Sequence, residues 1–365
     1  MISNKLILGK VITMGLLALT IGSIAFMALN IDPEPRSLRH ALKPVSRRLQ
    51  ATVDSTKIAW VWSFPESGTT YFMHSVHIMS QKSTATNYGT AMIDEKGQVF
   101  TPFSDSVPIY THKPGPSFAT TLDGPSNYIL TRTHSAGTCF ECPPYKYLGP
   151  SAKLKHMHTN FYATNIVNDE ENIVKYDRSL VDKMVILVRD PMDNVVSRFF
   201  QKVVKEVNDG NTDFGQKYPK NKYGFAQYCE DIDHNQFQDK ELNWYSQYDF
   251  FEEAKFVPCR SEFVKIFQFY NMGRQVGANY KLDMKTINFE NLSTDLEGTM
   301  SDIFQFVQLT REGTDLPHSL TEGDGLYLHF FTQPQRIAVA KLAKKMCQPA
   351  VWAAFAPYLE KYLQQ

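Results

Sequence analysis

The stretch Ser63-Phe64-Pro65-Glu66-Ser67-Gly68-Thr69-Thr70-Tyr71 constrains this chain more than any other. The apolar run Lys57 to Trp62 leads into it, and Phe72, Met73, Val76 and Met79 follow at helical spacing. Strand, tight turn with glycine and hydroxyl residues, then helix is the order from which a chain builds an anion cradle. Amides at a helix N-terminus point at the anion, and the helix dipole adds about half a positive charge there. The Gly-x-x-x-x-Gly-Lys-[Ser/Thr] spacing of a Walker A loop is absent, so the loop alone does not name its anion.

Other segments supply candidate partners. Asn127 to His134 reads as a short strand ending in Arg132 and His134, and strand ends face the ligand crevice in open α/β sheets. Lys183 to Arg189 is the cleanest strand, broken by Asp190-Pro191, with a helix expected from near Asp193 and Asp193 as its cap. Arg189 at the strand end and Ser197 in the helix make a phosphate clamp if they converge. The plain alternative pairs Arg189 with Asp190 or Asp193 and packs Ser197 in the helix, and the pattern leaves both open. Helices are expected at Ser261–Gln275, Asp295–Gln308, Gln335–Met346 and Pro349–Leu363, with a strand at Met284–Phe289. The pattern dissolves at residues 83–126 and 208–258, read as elaborations beside the site.

Lys+Arg and Asp+Glu are both 38, which argues against a general nucleic-acid binder. Val11 to Leu29 carries no charge for nineteen residues, long enough to span a bilayer. The reading is a short tail at 1–10, a transmembrane signal anchor at 11–29, a proline-rich, charged stem at 30–54 and a globular domain at 55–365. Cleavage of a signal peptide after Ala25, giving a secreted protein, is the competing outcome. Lys5 and Lys10 precede the span but five basic residues follow it within residues 36–48, so charge alone does not fix orientation. Five cysteines, Cys139, Cys142, Cys229, Cys259 and Cys347, suit a secretory compartment. The gap between Cys229 and Cys259 argues against zinc with Cys139 and Cys142, so disulfides are expected, with Cys347 as the odd thiol. Asp231-Ile232-Asp233 has the D-x-D form that glycosyltransferases use to hold a divalent metal and a nucleotide diphosphate.

The order of the motifs carries more than any one of them. Pro65-Glu66-Ser67-Gly68-Thr69-Thr70-Tyr71, Thr131-Arg132-Thr133-His134, Arg189-Asp190-Pro191-x-Asp193-x-x-x-Ser197 and Ile287-Asn288-Phe289-Glu290-Asn291-Leu292 together resemble the PAPS-dependent sulfotransferases, over roughly residues 57–310. PAPS is 3′-phosphoadenosine-5′-phosphosulfate. The resemblance implies an α/β fold with a P-loop-like parallel sheet flanked by helices, the sulfotransferase fold, preceded by one N-terminal transmembrane helix. It implies that the loop Glu66, Ser67, Gly68, Thr69 and Thr70 holds the 5′-phosphosulfate, that Tyr71 stacks near the adenine, and that Arg189 and Ser197 bind the 3′-phosphate. His134 would be the general base, with a pKa near neutrality, and Arg132 would steady charge on the transferring group. Membrane-anchored relatives of this kind sulfate a hydroxyl or amine of a glycan, protein or small molecule in the Golgi lumen. Two departures stand out: Glu66 replaces the family's loop lysine, and no C-terminal Arg-Lys-Gly segment is present. An acid at 66 repels the anion unless it faces away or pairs with a cation such as Arg132. A type II glycosyltransferase using Asp231 and Asp233, and a nucleotide- or glycan-binding protein without turnover, are the alternatives.

Overall fold

Successive residues of a strand face opposite sides of a sheet, and two strands of this protein are apolar at nearly every position. A strand of that kind needs cover on both faces. In the computed structural model, β1 (Lys57–Ser63) and β6 (Val181–Val188) lie side by side inside a five-stranded parallel sheet of order β2-β3-β1-β6-β7. The others are β2 (Ala85–Thr86), β3 (Tyr128–Thr133) and β7 (Asp283–Asn288). Residues 57–82, 84–87, 128–134, 145–148, 162–167, 170–175, 178–236, 246–317 and 325–364 are described by the structure. The expected membrane segment 11–29, the stem 30–54, Cys139 and Cys142 lie outside them. Among the described residues no helix is long and apolar enough to cross a membrane.

Ile58, Trp60, Trp62 and Phe64 turn to one side of the sheet together with Met184, Ile186 and Val188. That side is covered by α3 (Pro191–Asn208), α5 (Lys222–Gln236), α7 (Arg260–Asn279), α10 (Gln333–Met346) and α11 (Pro349–Leu359). Ala59, Val61, Val185 and Leu187 turn to the other, where α1 (Thr69–Ser80) and α9 (Leu296–Phe306) supply Phe72, Val76, Met300 and Ile303. Trp60, Trp62 and Phe64 are fully buried, and each buried side chain of this kind contributes about 1.5–3 kcal/mol. The result is a three-layer α/β arrangement.

Residues 208–258 correct the expectation of an irregular elaboration. They contain α4 (Thr212–Lys217), α5 and the short α6 (Phe251–Ala254), and Tyr218, Phe225, Tyr228, Ile232 and Phe250 belong to the main core. Aromatic residues recur there at irregular spacing because they pack on one another edge to face, as Phe199 does with Phe225. Cys229 on α5 is disulfide-bonded to Cys259 at the start of α7, and Cys347 is a free thiol, as expected for the odd cysteine. A two-stranded antiparallel hairpin, β4 (Tyr162–Val167) with β5 (Glu170–Lys175), and the short helices α2 (Tyr145–Leu148) and α8 (Asn291–Thr294) have no counterpart in the sequence reading.

β1 pairs in parallel with β3 on one side and β6 on the other. The chain therefore leaves β1 toward one edge of the sheet and later returns to build toward the opposite edge. Such a reversal opens a crevice at the carboxyl end of the strands. Ser63, His134, Arg189 and Phe289 stand at those ends.

Candidate functional site

Pro65 presets the backbone for the first corner position of a turn, and the residue after it must take a positive φ if the turn is of type II. Ser67 N donates to Phe64 O at 3.1 Å, closing the turn, and Glu66 sits at φ 65°. Gly68 follows at φ 78° as the residue before α1. A side chain here is excluded twice over, by the backbone angle and by the Phe289 ring, whose Cε2 would lie 1.9 Å from an added Cβ. No side chain caps α1 at Gly68, so the first amides of the helix are directed at the crevice. An uncapped helix start reached through two left-handed residues is an anion-accepting geometry.

The loop is braced from below by residues that the sequence pattern does not single out. Asn194 on α3, 2 % exposed, donates from Nδ2 to Pro65 O at 2.9 Å and to Ser67 Oγ at 3.1 Å. The buried Tyr270 hydroxyl on α7 donates to Leu187 O at 2.7 Å, lies 3.3 Å from Ser67 Oγ and receives Phe64 N at 3.4 Å. Burial raises its pKa and keeps it a donor. Thr69 Oγ1 donates to Ser63 Oγ at 2.7 Å. The Ser67 and Thr69 hydroxyls are thus engaged with the scaffold, while Thr70 is exposed and Tyr71 is half-buried against the second core.

Ser63 also fixes His134. The ring Nδ1 lies 2.7 Å from Ser63 O, and a carbonyl oxygen only accepts, so the proton sits on Nδ1 and the basic lone pair on Nε2. The neutral form is strongly favoured. Burial, then the neighbouring Arg132 guanidinium, push the His134 pKa down to about 3, against the opposing pull of Ser63 O. This corrects the expectation of a pKa near neutrality, which ignored the ring's burial at the end of an interior strand. Arg132 is itself buried on β3, in register with Val61 of β1.

Arg189 and Ser197 do converge, and what lies between them is Glu66. Arg189 Nη1 donates to Glu66 O at 2.9 Å and its guanidinium stands over the Phe289 ring at 5.1 Å. Ser197 Oγ donates to Glu66 Oε2 at 3.0 Å. The acid thus turns its carboxylate to the Ser197 hydroxyl. Its carboxylate occupies one member of the clamp and its carbonyl occupies the other.

The turn before α3 differs from the sequence reading in its cap. Pro191 takes the first helical position, to which its fixed φ is suited, and Asp190 Oδ1 accepts from Met192 N at 2.7 Å. Asp193 instead accepts Leu326 N at 3.0 Å and Tyr327 N at 2.8 Å, tying the C-terminal region to the helix. Glu290, after β7, accepts Asp190 N at 3.0 Å and the Tyr358 hydroxyl of α11. Beneath Phe64, a fully buried ion cluster joins Arg198 to Glu262 at 2.9 Å and Glu262 to Lys265, with the Arg198 guanidinium 4.7 Å from the Phe64 ring centre. The Arg198 charge in this cluster adds to the downward push on His134.

Asp231 and Asp233 lie on α5 with separate partners. Asp231 bonds Lys217 at 2.8 Å and Tyr218 at 2.7 Å, whereas Asp233 accepts Arg260 N at 3.0 Å. Burial, opposed by Arg260, raises Asp233 to about 6. Among the described residues no group of three or more His, Cys, Asp or Glu is placed to hold a metal ion. Arg336, on α10, donates to Phe331 O at 3.2 Å and Leu328 O at 2.7 Å. No family model and no curated protein matches the chain.

Proposed function

We propose that this protein transfers a sulfuryl group from PAPS to a hydroxyl or amine of a glycan, protein or small-molecule acceptor. The observation that carries the reading is the path Thr69–Ser63–His134: the anion cradle and the candidate base share one serine at the end of β1. The donor supplies an activated sulfuryl group on a phosphate leaving group. The amides of Gly68, Thr69 and Thr70 fit the 5′-phosphosulfate, and Ser197, beside Arg189, is the second polar locus, for the 3′-phosphate, once the Glu66 side chain yields the hydroxyl. Tyr71 is the candidate for the adenine.

His134 Nε2 would take the acceptor's proton while Nδ1 stays on Ser63 O. A ring with so low a proton affinity is fully available as an acceptor but is a weak base. Negative charge arriving in the cradle raises that affinity against burial and Arg132, so the base strengthens when the donor is present. Arg132 and the buried Arg198 would stabilise the negative charge that builds on the transferring group, where positioning and electrostatics carry most of the catalysis.

The finer fold and location readings belong to the same proposal: a sulfotransferase-type domain over 55–365, held by the 30–54 stem on a signal anchor at 11–29, in the Golgi lumen as a single-pass type II protein. A second reading, nucleotide or glycan binding without turnover, is favoured by the Glu66 carboxylate on Ser197. Transfer of radiolabelled sulfate from PAPS to a panel of glycans, peptides and small alcohols separates the two. Turnover in the wild type, falling by about 10²-fold or more in His134→Ala with PAPS affinity within a few-fold, supports the transferase. Near-normal turnover in the variant refutes the base. Donor binding with no turnover on any acceptor supports the second reading.

A further inference from the structure

Glu66 is the residue on which both members of the clamp close, and the chemistry above gives it no task. It occupies a left-handed backbone position that glycine or asparagine would fill with less strain. Its backbone is not at liberty to move: Asn194 holds Pro65 O, Arg189 holds Glu66 O, and Ser67 N closes the turn on Phe64 O. Only the half-buried side chain can leave.

We propose that Glu66 is an internal competitor for the anion at Arg189 and Ser197, and that it sets how strongly the site distinguishes a 3′-phosphorylated nucleotide from one with a free 3′-hydroxyl. The proposal rests on the nucleotide reading above and goes beyond it in assigning specificity to one side chain. A serine hydroxyl has one proton. While Ser197 donates it to Glu66 Oε2 at 3.0 Å, it cannot donate it to a phosphate. The carboxylate left at this place also repels a phosphate through a partly desolvated path. A ribose hydroxyl meets the opposite situation, because it can donate to the carboxylate, the same chemistry by which acidic residues in dinucleotide sites hold ribose and exclude its phosphate ester. The 3′-phosphate therefore binds only by swinging Glu66 off Ser197, and a nucleotide without it binds with Glu66 in place.

Calorimetric titration of adenosine 3′,5′-bisphosphate and of AMP tests this on wild type, Glu66→Gln and Glu66→Ala. Glutamine keeps the length and backbone contacts of the side chain and removes its charge; alanine also removes the acceptor. The expected result is a preference for the bisphosphate over AMP that rises by about ten-fold or more in both variants, with AMP affinity unchanged or lower, since charge-assisted bonds are the stronger ones. If both nucleotides bind and the preference stays within two-fold of wild type, Glu66 is not the competitor and the nucleotide reading stands. If neither nucleotide binds any of the three proteins, the nucleotide reading has failed and this proposal falls with it.

Discussion

Acidification from pH 7 to pH 5 isolates the state of His134. The ring is neutral in folded and unfolded chains alike at pH 7. As pH falls, the unfolded chain takes up a proton near the ordinary value of about 6.5, while the folded one refuses it until about 3. The folded state therefore loses stability throughout that window. Linkage with these two values gives a loss of about 2 kcal/mol between pH 7 and pH 5 from this residue alone. Urea denaturation at both pH values, on wild type and His134→Asn, extracts it. Asparagine can still donate to Ser63 O and does not titrate, so other groups cancel in the difference between the two proteins. Wild type should lose about 2 kcal/mol more than the variant. Parallel losses, within about 0.5 kcal/mol, would mean that the buried ring titrates normally and that the neutral-base geometry is wrong.

Two further outcomes test the frame of the site. Gly68→Ala combines a left-handed backbone cost of about 1–2 kcal/mol with overpacking against Phe289 of about 1–3 kcal/mol, and a urea midpoint near wild type would disprove the tight approach at this turn. Cys229→Ser/Cys259→Ser opens a bond that spans a sequence separation of 30, and chain-entropy reasoning sets its cost at about 3–4 kcal/mol; equal melting of the oxidised wild type and the double variant would show the link to be without effect on stability.

The strands were legible because their apolar runs are long and end abruptly. Lys57–Trp62, Asn127–His134, Lys183–Arg189 and Met284–Phe289 were each expected within a residue or two of β1, β3, β6 and β7. The turn at Gly68 was legible for the same reason, since proline, glycine and hydroxyls stood between a strand and a helix. Residues 208–258 were not, because helices buried through scattered aromatic contacts lack one apolar stripe. Within the site, the convergence of Arg189 and Ser197 was one of two readings that the pattern left open, and that Glu66 would lie between them was in neither. Asn194 and Tyr270 gave no local signal: each acts on the loop across more than a hundred residues of chain or across the width of the sheet. Nor can a histidine's proton affinity be read from its letter, because burial and Arg132 decide it.

The braces under the loop have a kinetic consequence. A flexible phosphate loop must be ordered by its ligand, at about 1–2 kcal/mol per residue of backbone entropy. Here Asn194, Tyr270, Arg189 and the Phe64–Ser67 turn hold the loop backbone from both sides before any ligand arrives. If the cradle takes an anion as proposed, capture is governed by encounter, and the one rearrangement left is the rotation of a single side chain, Glu66. On the proposed reading, the threshold that Glu66 sets is the cost of parting its carboxylate from the Ser197 hydroxyl, and not that of ordering a loop.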